Sequence, residues 1–581
     1  MKKTLLAAGV IVAIAGLGTA GWYFGRDLAQ RDAGGAALLS YIPADTPYVV
    51  ASTARMPEAQ VAAWQAQSAA AFEYYALSLE DLAAATAAGA GKDGADPAEA
   101  EGMAAVRAVI DELAAASREG RLGALLGVDV DADYAFYGQG LLPTLRVQTV
   151  DPEATRAFIA SIEQRAGSPL PTTTVQGREV WQVAGAANEP SLVAGLLDGW
   201  LVVALAPPAA DEATLAGLLG LTAPANPMSD DDRLAALRQA YGFTDDVAGY
   251  VDLRRIAGIV SGASRGPHDA ALLADVPAMD ATCQAEIASL AEAWPRMAVG
   301  VTSMDGRTQR SLGILEVRSD IAADLAGLSI AYPGGPDAPS AGLDVGMALD
   351  LGKIAGTVST WSGAFASAPY QCAELAGINT AMGQMQEGTA SLAMAGALGH
   401  GLRMQVSDMA FDLASGAPPR FSGRIVVASN SPQGLLGMAS MQMPALASAG
   451  LAPGAGVKAI EGGLPGLEGP VFAAMGERAL AMSIGEGQEA GLEALLATDP
   501  TDTRVLAYAV NGEDYARLMA SANQVQQAAM AMPGADPARE ARKAELMGEM
   551  MRASFERMET NVRFTARGIE MDATVVLPAA E

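Results

Sequence analysis

Five short motifs occur twice in this chain and in the same order, and no other feature constrains its fold as strongly. A unit that recurs must bury its apolar face in each copy by the same contacts. The clearest pair is SLVAGLLDGWLVVAL at 191–205 and PVFAAMGERALAMSI at 470–484. Each reads as two apolar strands about a tight turn, at Asp198-Gly199 and at Gly476-Glu477. Asp-Gly between apolar runs is a strong hairpin signal. Upstream, 47–64 lies without gaps on 344–361, with Val61 on Val358 and Trp64 on Trp361. Both segments read as strand, turn and helix start, and Pro57 suits a first helical turn. The remaining pairs are Tyr134–Val150 with Met409–Val427, DVAGYVDL (246–253) with TRVLAYAV (503–510), and 296–317 with 561–577.

The repeat defines two homologous modules, 43–330 and 343–578, separated by the Pro/Gly-rich linker AYPGGPDAPSAG at 331–342. Helical readings at 211–221 and 487–497 follow the paired hairpins. Hairpins exclude a doubly wound parallel sheet, which needs a helix between each strand pair. The expected class is α+β, with largely antiparallel sheets and helices packed on one face. The first module carries a helical insertion at 65–120, with Val61, Trp64, Ser68, Phe72 and Tyr75 on one helix face. Such a stripe packs against something, usually the helix's own sheet.

The N-terminus sets the compartment. Lys2 and Lys3 precede an uncharged run from Thr4 to Gly25, closed by Trp22, Tyr23, Arg26 and Asp27. The run has the length of a bilayer-spanning helix and the aromatic residues of an interface. The expectation is an anchor within 1–28 holding the body in the periplasm; the alternative is a signal peptide cleaved after Gly18-Thr19-Ala20. No Cys follows the run, which excludes a lipoprotein anchor. In an oxidising compartment the only two cysteines, Cys283 and Cys372, read as one disulfide tying the modules together; two buried thiols are the alternative. The net charge of −29 argues against nucleic acid and against broad adhesion to anionic lipid. With 51% hydrophobic and 18% charged residues, the chain can fill large cores.

The opening YIPADTPYVVAS (41–52) and the segment GQGLLPTLRV (138–147) resemble a group of uncharacterised bacterial envelope proteins. These form a domain-of-unknown-function family whose exported body opens with a Leu/Ile-Pro-Ala-Asp-Thr-like segment. The resemblance implies no activity and carries over no functional residue.

Motifs that could carry chemistry each meet a simpler reading. Gly262-Ala263-Ser264-Arg265-Gly266 spells a nucleophile elbow, but that device needs a strand before the serine and a helix after it. Here a helix precedes, and Pro267-His268 follows in what reads as a loop. The only histidines, His268 and His400, lie in different modules, so one chain cannot build a multi-histidine metal site. Asp129, Asp131 and Asp133 imitate the start of a calcium loop, but Tyr134 and Gly140 stand where Gly and Glu are required. A dinucleotide-like G-x-G-x-x-G (Gly16 to Gly21) lies within the anchor run, and Gly91-Lys92 is followed by Asp93 rather than a phosphate-loop residue. Met547, Met550, Met551 and Met558 with Phe555 follow a helical spacing, and Met438, Met441 and Met443 group in a loop reading. Core filling explains these better than copper ligation, with a Met-lined groove as an intermediate possibility.

No catalytic residue, cofactor or metal follows from the sequence. The expected role is a non-catalytic envelope binding or scaffold protein, held to the membrane by its N-terminal helix, with envelope proteins or lipid as partners. The alternative is a periplasmic carrier or chaperone for lipid or another apolar ligand, and an enzyme lacking any sequence signature ranks below both. A carrier requires a continuous apolar cavity; a scaffold requires packed cores and an exposed patch.

Overall fold

The structure, a computed structural model, describes residues 37–579 except 53–57, 90–96, 130–131, 168, 184–188, 245–246, 336–337, 339–340, 411–419, 463–468, 518 and 521–535. The expected anchor, Pro57, Gly91-Lys92, Asp131 and the Trp64 side chain lie outside the described residues. Among the described residues no helix is long and apolar enough to cross a membrane.

The first half contributes strands β1 (Tyr48–Ser52), β2 (Tyr134–Gln139), β3 (Leu142–Gln148), β4 (Thr172–Val175), β5 (Arg178–Val183), β6 (Ser191–Leu197), β7 (Trp200–Ala206), β8 (Val247–Asp252), β9 (Arg296–Asp305) and β10 (Thr308–Glu316). The second contributes β11 (Leu343–Ala348), β12 (Gly401–Ala410), β13 (Arg420–Ala428), β14 (Lys458–Ile460), β15 (Val471–Met475), β16 (Ala479–Ile484), β17 (Leu506–Asn511), β18 (Arg557–Thr565) and β19 (Gly568–Val576). All belong to one 19-stranded sheet. The first half is ordered β4-β5-β6-β7-β3-β2-β1-β8-β9-β10, every pair antiparallel. The second is ordered β14-β15-β16-β13-β12-β11-β17-β18-β19, again all antiparallel. With β4 set aside, the two orders match strand for strand. Pairing of β10 with β19, from Thr308↔Val576 to Glu316↔Gly568, joins the halves edge to edge.

The register repeats as well. From the central pair Leu312↔Asp572, one path runs Leu312, Gly300, Ala248, Ala51, Ala135, Arg146, Val202, Gly195. The other runs Asp572, Asn561, Ala507, Gly346, Arg403, Val426, Ala481, Ala474. Val202 thus corresponds to Ala481 and Gly195 to Ala474, as in the alignment of 191–205 with 470–484. Elsewhere the alignment slips. Ala51 corresponds to Gly346 rather than Ala348, and Ala248 to Ala507 rather than Val505. Side chains alternate with period two, so a slip of two residues leaves the apolar pattern unchanged and escapes detection in sequence.

The first hairpin turns at Asp198-Gly199, both with positive φ (51° and 85°), the geometry for which Gly is suited. The second turns one residue later than its sequence suggests: the Gly476 N–H donates to the Ala479 carbonyl at 2.9 Å, leaving Glu477-Arg478 at the centre.

The first strand of each half feeds a pair of helices: α1 (Glu58–Gly89) and α2 (Pro97–Arg118) in the first half. Further along come α3 (Pro152–Ala166), α4 (Glu212–Leu219), α5 (Leu253–Ser261), α6 (Pro267–Leu272) and α7 (Ala281–Ala293). The second half has α8 (Leu351–Ser367), α9 (Ala376–Leu398), α10 (Pro432–Gln442), α11 (Leu492–Leu496) and α12 (Pro537–Ser554). The helical pair is therefore not peculiar to the first half, because α8 and α9 occupy the same place between β11 and β12.

Helices also cover both faces of the sheet, not one. Strands such as β7 (WLVVALA) are apolar on both sides, so each side needs a cover. On one face Val49, Tyr137, Val193 and Val202 pack with Leu215, Leu218 and Leu219 of α4. On the other, Val147 meets a core of Phe72, Leu113, Phe158 and Ile162 from α1, α2 and α3. In the second half α11 takes the first role, over Val426, Ala474 and Ala481. Leu436 of α10 takes the second, beside Val471 and Ile484.

Three further contacts bind the halves. Cys283, in the first turn of α7, and Cys372, just ahead of α9, form a disulfide with Cα atoms 4.7 Å apart. The Glu286 carboxylate of α7 accepts the N–H groups of Gln371 (2.8 Å) and Cys372 (2.9 Å). Reciprocally, α12 lies on α1, where Arg539 meets Asp81 at 2.7 Å and Arg542 meets Glu73 at 2.9 Å. The segment between the halves is no loose tether: Tyr332 is buried, its N–H donates to the Asp502 carbonyl at 2.9 Å, and Arg504 stacks 4.4 Å from its ring centre.

Candidate functional site

Among the described residues two features stand out as able to do chemistry or bind. The first is a cleft of about 570 Å³ beneath the first half, walled by four distant segments: Tyr41 to Asp45, Gln139-Gly140, Gly217 to Pro224, and Arg255 to Asp269. It contains the elbow-like motif. Ser264 lies in the short connection between α5 and α6, with its N–H donating to the Gly258 carbonyl at 3.0 Å. No strand leads into it, so the strained strand-to-helix turn of a hydrolase nucleophile is missing. Pro267 and His268 open α6 rather than continuing a loop, because Pro suits a first helical turn.

Asp269 is buried, and its carboxylate accepts the N–H of Leu141 at 2.7 Å and of Gly266 at 3.2 Å. It clasps the β2–β3 turn to α6 and is not free to orient His268. Burial pushes the His268 pKa below its ordinary value, with Asp269 and Asp211 opposing the shift. The Nδ1 atom of that ring is enclosed without a hydrogen-bond partner. Arg255 holds its carboxylate neighbours loosely, Asp45 at 3.7 Å and Asp252 at 3.9 Å. Arg265 donates, among the described residues, only to the carbonyls of Ile259, Val276 and Val260. The grouping can bind a polar ligand, but it is no serine–histidine–carboxylate relay. Arg255, Asp45 and Gln139 escaped sequence reasoning because only the fold brings these segments together.

The second feature is a row of apolar residues crossing eight strands on one sheet face, with a side chain on every strand but the one that bears Gly313. Lateral pairing sets Val427, Leu402, Met347, Leu506, Val562, Met571, Gly313 and Val299 side by side, from β13 to β9. Seven strand spacings make the row about 34 Å long. Leu402, Met347, Leu506 and Met571, with Met404 and Met297 beside the row, are between 36% and 48% exposed. Isolated exposed apolar residues are ordinary, but a contiguous row of them is not. The Met571 side chain leans over Gly313, where a Cβ would sit 3.4 Å from its methyl. The sequence signal was alternation alone, as in GLRMQV (401–406), which any half-buried strand would give.

The other sequence candidates resolve into structure. Asp129 is exposed and Asp133 buried, at the entry to β2. Met551, Phe555 and Met558 join a core with Val510, Val575 and Ala63; Met558 is on β18, not on α12, because the helix ends at Ser554. Met438 and Met441 lie on α10 and Met443 caps it, so these form a helix end rather than a loop. His400 lies in the second half, and burial and then Arg478 lower its pKa. Cys283, Cys372 and Glu374 bring ligand-type atoms within 4.8 Å of one another, but the two sulfurs are bonded to each other. Comparison of the chain with protein-family models, with curated proteins and with solved structures finds no match.

Proposed function

We propose that this chain is a non-catalytic binding or scaffold protein of the bacterial envelope, exported behind its N-terminal segment, with a body made of two copies of one module. The matched strand orders and the shared register of β6–β7 and β15–β16 support the duplication. The N-terminal run and the family resemblance support the location. The single observation that carries the functional reading is the half-exposed row from Val427 to Val299. An open row along a sheet suits the apolar surface of a partner protein, whereas a carried lipid calls for an enclosed apolar volume. Its methionines adapt to a partner's shape at little cost.

The test is recovery of the protein from native membranes, with co-purifying proteins and lipids identified together, for the wild type and for Leu506→Lys and Met571→Lys. Both positions are exposed, so a charge there changes stability little. A protein partner recovered with the wild type and lost from both folded variants supports the reading. Stoichiometric lipid lost in the same way would replace it with the carrier reading. Identical recovery from all three would defeat both.

A further inference from the structure

We propose that the cleft around His268 binds a small oxyanion, a phosphate or a carboxylate, held by the guanidinium of Arg255. The cleft has about 570 Å³, within the usual range of small-molecule sites. The chain's net charge is −29, so a guanidinium has no shortage of carboxylates with which to pair. Exposed arginines can sit loosely, as Arg156 and Arg552 do at 3.6 and 3.7 Å from their carboxylates. Several less exposed ones pair closely: Arg403 with Asp344 at 2.7 Å, Arg296 with Glu316 at 2.6 Å, Arg539 with Asp81 at 2.7 Å. The two arginines of the cleft do not. Arg255 reaches Asp45 and Asp252 only at 3.7 and 3.9 Å. Among the described residues Arg265 donates only to backbone carbonyls and forms no ion pair. The buried carboxylate of the wall, Asp269, is taken up by two backbone N–H groups.

Two loosely compensated cations on one concave wall favour an anion. Asp45 is the placeholder: its side chain is 76% exposed, so an incoming oxyanion can displace it from Arg255. His268 lines the same cleft, so its ring reports on an anion bound there. A phosphate or carboxylate oxygen in the cleft would bind Arg255 in place of Asp45.

The chain has only two histidines, and the second serves as an internal control. Inorganic phosphate and acetate are titrated separately, at constant ionic strength balanced with chloride, into full-length protein labelled with carbon-13 in its histidine rings. The two ring signals are assigned with His400→Asn. Saturable movement of the His268 signal with either anion, while His400 stays still, is the expected result; the anion that saturates names the ligand class. Arg255→Gln should weaken binding by about tenfold or more, the usual loss for a charged hydrogen-bond partner. Asp45→Asn should strengthen it by removing the competitor. If both histidine signals move together, or neither moves, the proposal fails. It also fails if folded Arg255→Gln binds as well as the wild type.

Discussion

Asp344 and Arg403 meet inside the second half as a bidentate pair, at 2.9 and 2.7 Å, with side chains only 9% and 12% exposed. Gln405 donates to the same carboxylate at 2.8 Å. Removing one member strands a buried charge, so Asp344→Ala should cost about 3–5 kcal/mol in denaturant unfolding. Asp344→Leu with Arg403→Met should cost much less, because no charge is then left unpaired. His268 and His400 make a second prediction. Burial is the main cause lowering both pKa values, so the folded state prefers the neutral rings. The unfolded chain, with rings near 6.5, then takes up protons first. Stability is full above that pH and is lost as pH falls below it through the folded-state values. Carboxylates such as Glu73, held low chiefly by its bond to Arg542, lose stability in the same direction but only below about 4.5, their ordinary value. Melting temperature should therefore decline between neutral pH and the carboxylate range, and His268→Asn with His400→Asn should flatten that decline; an unchanged slope would contradict it. None of these partnerships was legible in sequence, since Asp344 and Arg403 are brought together only by β11–β12 register. The cysteine pairing was legible, because two cysteines allow a single bridge.

At the scale of elements, hairpins were read best. Asp198-Gly199 dictates its own backbone, so β6–β7 could be placed to the residue, whereas Glu477-Arg478 carries no such requirement and its turn was misplaced by one. The helix pair α8–α9 escaped as a counterpart of α1–α2 for a physical reason. The sequence AGINTAMGQMQEGTASLAMAGAL lacks a marked apolar stripe, because α9 is largely exposed and rests mainly on α8. The contact of α12 with α1 depends on charge. Arg539 bonds Glu80 and Asp81, Arg542 bonds Glu73, and Lys543 bonds Asp81. Single partly exposed pairs are worth about 0–1 kcal/mol, so Asp81→Ala should shift stability within that range. Reversing Glu73, Glu80 and Asp81 to lysine sets like charges against α12. Hydrogen exchange should then accelerate across 537–554 and leave β17–β18 protected. Unchanged protection of α12 would mean that its apolar face alone holds it.

For the molecule as a whole, the sequence did not reveal that both halves share one sheet. Either half alone would expose β10 or β19 as a nine-residue edge, a template for unwanted pairing. Pairing the two removes both edges. The outer ends that remain, β4 and β14, are four and three residues long. The shared sheet also makes the exposed row possible, since it runs from β13 of one half to β9 of the other and neither half alone contains it. A photo-crosslinking side chain placed in living cells at Met347 or Met571, and at Arg310 on the opposite sheet face as a control, tests this most directly. Adducts to one and the same protein from positions 347 and 571, and none from 310, are the predicted result. Equal adducts from position 310, or none from either row position, would contradict a partner surface on this face.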